Sequence, residues 1–337
     1  MKMGSQDMPE FTPEKIKEEL TAVAARLFGE GKVDYFLAYE KGTVPFKTTP
    51  LIARKKEDLQ RIWVDDYFVA NLSVYLKEIR GRIGIVIKGC DSRSLVSLLK
   101  EEQIKREDFH IVGISCPGQF DLRKLARAAA CDPEELEEIL RTSSGVLVRA
   151  NGREKTLPRP QAFLDKCLRC RYPKPLIFDT LLSGEYVAPV DLENPGAADP
   201  ATSLKDELRG KTLPERWAFW AEQFDRCIRC YACRNVCPAC FCPRCIVEEN
   251  QPQWVSPLPT RGDNFVFHLM RLMHVTGTCT SCGECERICP MGIPLMKLNE
   301  KMAADLKELF DFMAGVDLDK PLPLRTYRQE DPNDFIK

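Results

Sequence analysis

The sequence predicts a chain in two parts: an α/β N-terminal domain with a parallel sheet core, then a mainly helical C-terminal domain. Three observations predict this. First, the apolar runs Arg82-Ile-Gly-Ile-Val-Ile-Lys88 and Phe109-His-Ile-Val-Gly-Ile114 flank a helical stretch. Strand, helix and strand in that order imply parallel pairing through a right-handed crossover. Second, Ala188 to Ala201 is rich in Pro, Gly, Ala and Asp, as linkers are. Third, two cysteine runs near the C-terminus repeat one spacing. The expected bounds are therefore 1–187 for the α/β domain, 188–204 for the linker and 205–337 for the helical domain.

Each element has a local cause. Thr12 caps a first helix whose stripe is Ile16, Leu20, Val23 and Leu27, and Gly29 and Gly31 end it. Val33 to Tyr39 reads as a strand, and Gly42 to Ala53 as another broken by Pro45 and Pro50. Tyr67 to Ile79 has Phe68, Leu72, Tyr75, Leu76 and Ile79 at helical spacing. After the first buried strand, Leu95, Leu98 and Leu99 mark a helix. Two short helices are expected over Asp121 to Ala130 and Asp132 to Leu140. A hairpin should follow, Val146 to Arg149 with Arg153 to Leu157, turning at Asn151-Gly152. In the C-terminal part the expected helices are Leu213 to Phe224, Asn264 to His274 and Pro294 to Met313, with a Pro-rich loop over Asn250 to Pro259.

The cysteine runs carry the chemistry. They read Cys227-Ile-Arg-Cys230-Tyr-Ala-Cys233-Arg-Asn-Val-Cys237-Pro238 and Cys279-Thr-Ser-Cys282-Gly-Glu-Cys285-Glu-Arg-Ile-Cys289-Pro290. Both follow C-x-x-C-x-x-C-x-x-x-C-P, the run that holds a [4Fe–4S] cluster and whose fourth cysteine serves the other cluster in two-cluster ferredoxins. The expected ligand sets are Cys227, Cys230, Cys233 and Cys289 for one cluster, and Cys279, Cys282, Cys285 and Cys237 for the second. The C-terminal domain is thus expected to be a dicluster, ferredoxin-like one. Paired four-thiolate zinc sites are the bland alternative, but they need no third C-x-x-C step. Tyr231, Phe241, Ile288 and Ile293 are expected to keep water from the clusters.

Other cysteines are less determined. Cys240-Phe-Cys242-Pro-Arg-Cys245 lies outside the pattern, and as a separate metal site it needs a fourth ligand, for which only Cys131 remains. Cys90 and Cys116 fall just past the ends of neighbouring strands, where open α/β sheets place ligands. With Cys167-Leu-Arg-Cys170 they make a set of four, although on spacing alone ordinary buried core cysteines explain them as well. Asp91-Ser-Arg-Ser94 reads as a capped helix start, with a phosphate cradle as the rival. Arg226, Arg229, Arg234 and Arg244 read as a solvated face, with docking to an acidic partner as the rival.

Composition limits the functions. A formal net charge of -1 over 337 residues gives no dominant attraction to nucleic acid or to an anionic membrane. Apolar content of 44% and charged content of 29% are those of a globular chain. Sixteen cysteines in a chain this long point to metal in a reducing compartment rather than to a disulfide scaffold. Met1 to Glu19 lacks an apolar signal core, and no apolar run reaches the ~18 residues of a membrane span. The expectation is a cytoplasmic protein without direct membrane insertion.

Val86-Ile-Lys-Gly-Cys90-Asp-Ser-Arg-Ser-Leu95, Ile111-Val-Gly-Ile-Ser-Cys116 and Cys167-Leu-Arg-Cys170 together resemble the beta subunits of coenzyme F420 (deazaflavin) hydrogenases and dehydrogenases. The resemblance implies a third [4Fe–4S] cluster on Cys90, Cys116, Cys167 and Cys170, and some members carry an appended two-cluster module. Many also bind FAD, near an acidic stretch after the C-x-x-C. Here the chain continues Arg171-Tyr-Pro-Lys-Pro175 instead, which counts against FAD. The chain is also similar to iron–sulfur subunits that accompany heterodisulfide-reductase-like electron-bifurcating complexes. The resemblance therefore implies an electron-transfer subunit working with a flavoprotein, hydrogenase or formate dehydrogenase on one side and a heterodisulfide-reductase-like protein on the other. A flavin enzyme that itself turns over a deazaflavin or nicotinamide coenzyme is the alternative.

Overall fold

The computed structural model describes residues 13–142, 145–182, 208 and 210–323. The Thr12 cap and the 188–204 linker lie outside the described residues. Two compact units divide the chain, Met1–Ser92 with Glu102–Asp199, and Arg93–Glu101 with Pro200–Lys337.

The first unit is built on a five-stranded sheet in the order β2-β1-β3-β4-β8. Its strands are β1 (Tyr35–Lys41), β2 (Thr48–Ala53), β3 (Ile83–Ile87), β4 (Phe109–Gly113) and β8 (Thr180–Leu181). β1, β3, β4 and β8 run parallel, and β2 pairs antiparallel at the edge. Pro50 sits in β2, where an edge strand tolerates its missing N–H. All five residues of β3 are buried, as both faces of a parallel sheet usually are. Helix α2 (Gly89–Lys100) starts directly after β3. The expected α/β architecture with a parallel core is what the chain adopts.

Helix α1 (Pro13–Gly29) buries Ile16, Leu20, Ala24 and Leu27. Ala24 is buried where Val23, expected in the stripe, is only half-buried.

Two expectations fail here. The Tyr67–Ile79 helix is absent, and only Leu72–Tyr75 closes a 3₁₀ turn. Its backbone has other partners. The Ala70 carbonyl accepts from Tyr39 Oη (2.7 Å) and Lys88 Nζ (3.0 Å), and Asn71 Oδ1 takes the Ser73 N–H. The Asp132–Leu140 helix is replaced by a turn at Pro133–Glu135 and strand β5 (Leu136–Thr142). β5 pairs with β6 (Gly145–Ala150), which pairs with β7 (Arg153–Leu157) in an antiparallel sheet. A register shift between Leu136 and Glu138 puts Leu136 and Ile139 on one face. That bulge imitates the three-residue step of a helix. The expected β6–β7 hairpin is present, and α3 (Leu122–Ala129) packs over it with its first amides held by Asp121.

The second unit is helical, as expected. It contains α6 (Leu213–Asp225), α7 (Ala232–Asn235), α8 (Arg261–Val275), α9 (Glu284–Ile288) and α10 (Leu295–Phe310), after the short turns α4 (Arg159–Ala162) and α5 (Asp165–Leu168) of the first. Thr212 and Glu215 form a capping box on α6, and Thr260 caps α8. α6 and α8 meet through Trp217 on Phe265 (4.9 Å, edge-on) and Phe224 stacked on His268 (4.5 Å). The core of this unit includes Cys233, Cys285 and Cys289 beside Phe267, Ile293 and Met296, so the cysteine loops are its interior. Among the described residues no helix is long and apolar enough to cross a membrane.

Candidate functional site

The two C-terminal loops repeat one backbone. Arg229 and Tyr231 have φ of 52° and 57°, and the equivalent Ser281 and Gly283 have φ of 56° and 74°. Each left-handed pair curls its loop so that amides face inward. Arg229 N–H donates to Cys227 Sγ (3.4 Å), and Ser281 N–H does the same for the Cys279 thiol. α7 and α9 then carry each chain from its third cysteine towards its fourth.

The fourth cysteines cross. Cys227, Cys230 and Cys289 all act on the Cys233 thiol, which burial pushes up to about 11. Cys237, Cys279 and Cys282 act on Cys285, whose thiol burial raises well above its usual value. The structure thus brings Cys227, Cys230, Cys233 and Cys289 together, and Cys279, Cys282, Cys285 and Cys237 together. Burial that raises free thiols makes metal binding release protons, since only thiolates bind. Cys230 is exposed, whereas Cys233, Cys237, Cys285 and Cys289 are buried. Ile293 is buried and Ile288 is exposed, so Ile288 does not shield the site as expected.

Among the described residues no three His, Cys, Asp or Glu side chains converge closely enough for a single metal ion. Among the described residues Cys240, Cys242 and Cys245 do not converge as a group of three either. Cys240 donates its S–H to Cys237 and so holds the Cys237 thiol below its usual range. Cys242 is exposed, Cys245 packs beside the Cys233 core, and Cys131 packs against the hairpin core of the first unit.

Helix α8 supplies the residues that spacing could not reveal. Asn264 Nδ2 donates to the carbonyls of Phe224 (2.9 Å) and Cys227 (2.8 Å), and its Oδ1 accepts from Arg229 Nε (3.1 Å). Arg229 also donates to the carbonyls of Ser256 and Leu258. It is a buried brace, which removes it from the expected solvated face. Arg271 is 8% exposed, donates to the Cys233 carbonyl (3.2 Å), and among the described residues its Nε has no hydrogen-bond partner. An α-helical stripe with Arg at a core position is the only signal that marked it.

His268 on α8 is buried, and burial lowers it to about 3, with Arg271 and Arg229 adding to the effect. Above pH ~6.5 it is neutral folded or unfolded and costs nothing. As pH falls from ~6.5 towards 3, the unfolded chain takes a proton the folded chain refuses, removing ~1.4 kcal/mol per pH unit. Comparing His268→Phe with the parent by urea unfolding, the stability difference should shift by about 2 kcal/mol between pH 7 and 5 in favour of the variant. A pH-independent difference refutes this. Gly283, at φ 74°, should accept Val only at about 1–2 kcal/mol; an unchanged urea midpoint for Gly283→Val contradicts the left-handed requirement.

In the first unit, β3 and β4 end beside each other, and Cys90 and Cys116 follow them. The bridge of Phe120 to Phe163, with rings 5.0 Å apart, brings the Cys167 turn to the Cys116 loop. Buried Gln119 joins them: its N–H donates to Cys167 Sγ (3.4 Å) and its Nε2 to Cys116 Sγ (3.5 Å). Cys116 acts on Cys90, Cys167 acts on Cys116, and Cys170 acts on Cys167. Burial raises the Cys116 thiol to about 11 and Cys90 well above its usual range. All four expected residues are therefore neighbours, and sequence reasoning missed Gln119.

Lys88 and Asp91 lie under this site, 1% and 0% exposed, with Nζ 2.8 Å from Oδ2. Asp91 Oδ2 also accepts from the Lys88 N–H (3.0 Å), so the start of α2 is filled by its own carboxylate, as a capped helix requires. The segment Arg171–Pro175 packs across the strand ends. The Pro173 carbonyl accepts from the Cys116 N–H (2.9 Å), and a Cβ on Gly89 would stand 1.6 Å from the Tyr172 carbonyl oxygen.

No protein-family model matches the chain. It is 23% identical over 356 residues to the F420-dependent formate dehydrogenase subunit beta of Methanocaldococcus jannaschii, covering 90% of this chain and 92% of that one. It is 25% identical over 358 residues to the F420-dependent formate dehydrogenase 1 subunit beta of Methanococcus maripaludis, covering 90% and 91%. A chain of the F420-reducing [NiFe] hydrogenase complex from Methanosarcina barkeri matches at 19% identity and a TM-score of 0.38, over 48% of this chain and 63% of that one. The resemblance carried by Cys90, Cys116 and the Cys167 pair thus extends over nine-tenths of the chain, to the beta subunits of F420-dependent formate dehydrogenases.

Proposed function

We propose that this chain is the iron–sulfur electron-transfer subunit of a cytoplasmic, multi-subunit oxidoreductase. When bound, a [4Fe–4S] cluster would supply one-electron transfer at each set of cysteines. Cys227, Cys230, Cys233 and Cys289 hold one, Cys279, Cys282, Cys285 and Cys237 a second, and Cys90, Cys116, Cys167 and Cys170 a third. The observation that carries the reading is the pair of loops with one repeated left-handed pattern, whose fourth cysteines cross. The unpaired buried charge of Arg271 fits anionic thiolate clusters, because a buried cation needs a compensating charge. Phe267, Ile293 and Met296 exclude water from the loops. Exposed Cys230 makes the first set the edge nearest a partner. Those partners are a formate dehydrogenase, hydrogenase or flavoprotein and a heterodisulfide-reductase-like protein. Iron analysis of an anaerobic preparation should give about twelve atoms per chain; about eight removes the N-terminal cluster, and zinc in place of iron removes the reading.

The second reading is a flavoprotein that itself oxidises or reduces F420. It is favoured by curated relatives named F420-dependent across nine-tenths of the chain. Against it stands Arg171–Pro175, which packs over the strand ends where the family's acidic stretch is expected. Acid extraction that releases stoichiometric FAD, together with F420 turnover by the isolated chain, would establish it.

A further inference from the structure

We propose that Arg271 is a buried counter-cation shared by both C-terminal clusters, and that it holds their reduction potentials up. This rests on the cluster assignment above and adds to it a residue that sets how readily the relay accepts an electron.

The argument is one of charge and position. Four thiolates around a 2+ iron–sulfur core leave a net charge of −2, and reduction adds another negative charge. A positive group nearby therefore favours the reduced form. Such a group counts most where water cannot screen it. Arg271 meets both conditions. It lies on the inner face of α8, with Asn264, Phe267, His268 and Val275, and is 8% exposed. One end is fixed, through Nη2 to the Cys233 carbonyl, within the first loop. Its Nε is left without a hydrogen-bond partner. An arginine buried this deeply ordinarily finds a carboxylate. The sulfurs whose charge as thiolates would bear most strongly on Arg271 are instead those of Cys237, Cys285, Cys240 and Cys233. Cys233 belongs to the first set, and Cys237 and Cys285 to the second. Cys279 of the second set feels it as well. One guanidinium therefore serves both sets.

A cation common to two neighbouring centres raises them together. It makes each easier to reduce without opening a large step between them, as a two-centre relay needs. The other buried arginine of the loops, Arg229, is fully occupied by Asn264 and two carbonyls, so its role is structural. His268, three residues before Arg271, is held neutral and adds no charge.

The test is an EPR-monitored redox titration of the full-length protein, prepared anaerobically, for the parent, Arg271→Met and Arg271→Lys. In Arg271→Met with iron retained, the C-terminal clusters should need a reduced-to-oxidised ratio at least tenfold lower at a given ambient potential. That is a downward shift of about 59 mV or more for one electron. Arg271→Lys, which keeps the charge, should shift by less than half of this. Loss of iron from Arg271→Met with retention in Arg271→Lys supports the proposal equally, since the charge is then what the clusters require. Unchanged potentials in an iron-replete Arg271→Met overturn it. Iron loss from both variants also overturns it, because guanidinium packing and not charge is then at work. A parent protein without iron would instead defeat the cluster assignment itself.

Discussion

Replacing Cys227 and Cys289 together with alanine should leave about two-thirds of the parent iron, whereas replacing Cys227 and Cys237 together should leave about one-third. The asymmetry follows from the crossing. Cys227 and Cys289 are neighbours of Cys233, so their loss strikes one set of thiols twice. Cys237 lies with Cys279 and Cys285, so the second double variant strikes both sets. With about four irons per cluster and three clusters, the expected counts are about eight and about four. Ligands kept within each run would reverse the two numbers. Equal counts of about four for the two variants would mean that losing either cluster opens both loops and releases the other as well. Cys240 is a check on this experiment. It sits against Cys237 and donates an S–H hydrogen bond to it, so a sulfur is at hand when Cys237 is removed. Adding Cys240→Ala to the second variant prevents that substitution from masking the loss.

Much of this arrangement was legible from spacing, and the reason is local. A C-x-x-C-x-x-C run permits few loop shapes, and the left-handed positions at Arg229, Tyr231, Ser281 and Gly283 fall at equal offsets in both. β3 and β4 were legible because a strand buried on both faces is a short unbroken apolar run. Elements whose shape depends on distant partners were not. The Tyr67–Ile79 stretch has helical periodicity, but Tyr39 and Lys88, far away in sequence, take the Ala70 carbonyl. Leu136 and Ile139 share a face through a bulge that only pairing with β6 creates. Arg271 and Gln119 escaped for a related reason. Each is a single polar residue in an otherwise ordinary context, and its meaning comes from thiols that reach it from other loops.

Lys88→Met should destabilise the first unit by about 3–5 kcal/mol, the usual cost of removing one partner of a buried ion pair. Lys88 and Asp91 are both almost wholly enclosed, and they touch at 2.8 Å. Burial opposes the charge on Lys88, yet the Asp91 carboxylate outweighs it and holds the ammonium above its ordinary range. Removing the ammonium leaves the Asp91 carboxylate buried without its counter-charge. It also leaves the Ala70 carbonyl with only Tyr39 as donor. Adding Asp91→Asn should restore a substantial part of the loss, because Asn carries no charge and still accepts from the residue 88 amide as Asp91 does now. Urea unfolding followed by circular dichroism reads both effects. A single variant within 0.5 kcal/mol of the parent, at the level of ordinary surface substitutions, would show that the pair is not isolated from water. A double variant no better than the single would show that the lost Nζ bonds, rather than the stranded carboxylate, set the cost. Cys90 follows Lys88 by two residues at the start of α2. If the proposed cluster sits on Cys90, Cys116, Cys167 and Cys170, the double variant should also keep its iron and the single variant should lose it as the start of α2 loosens.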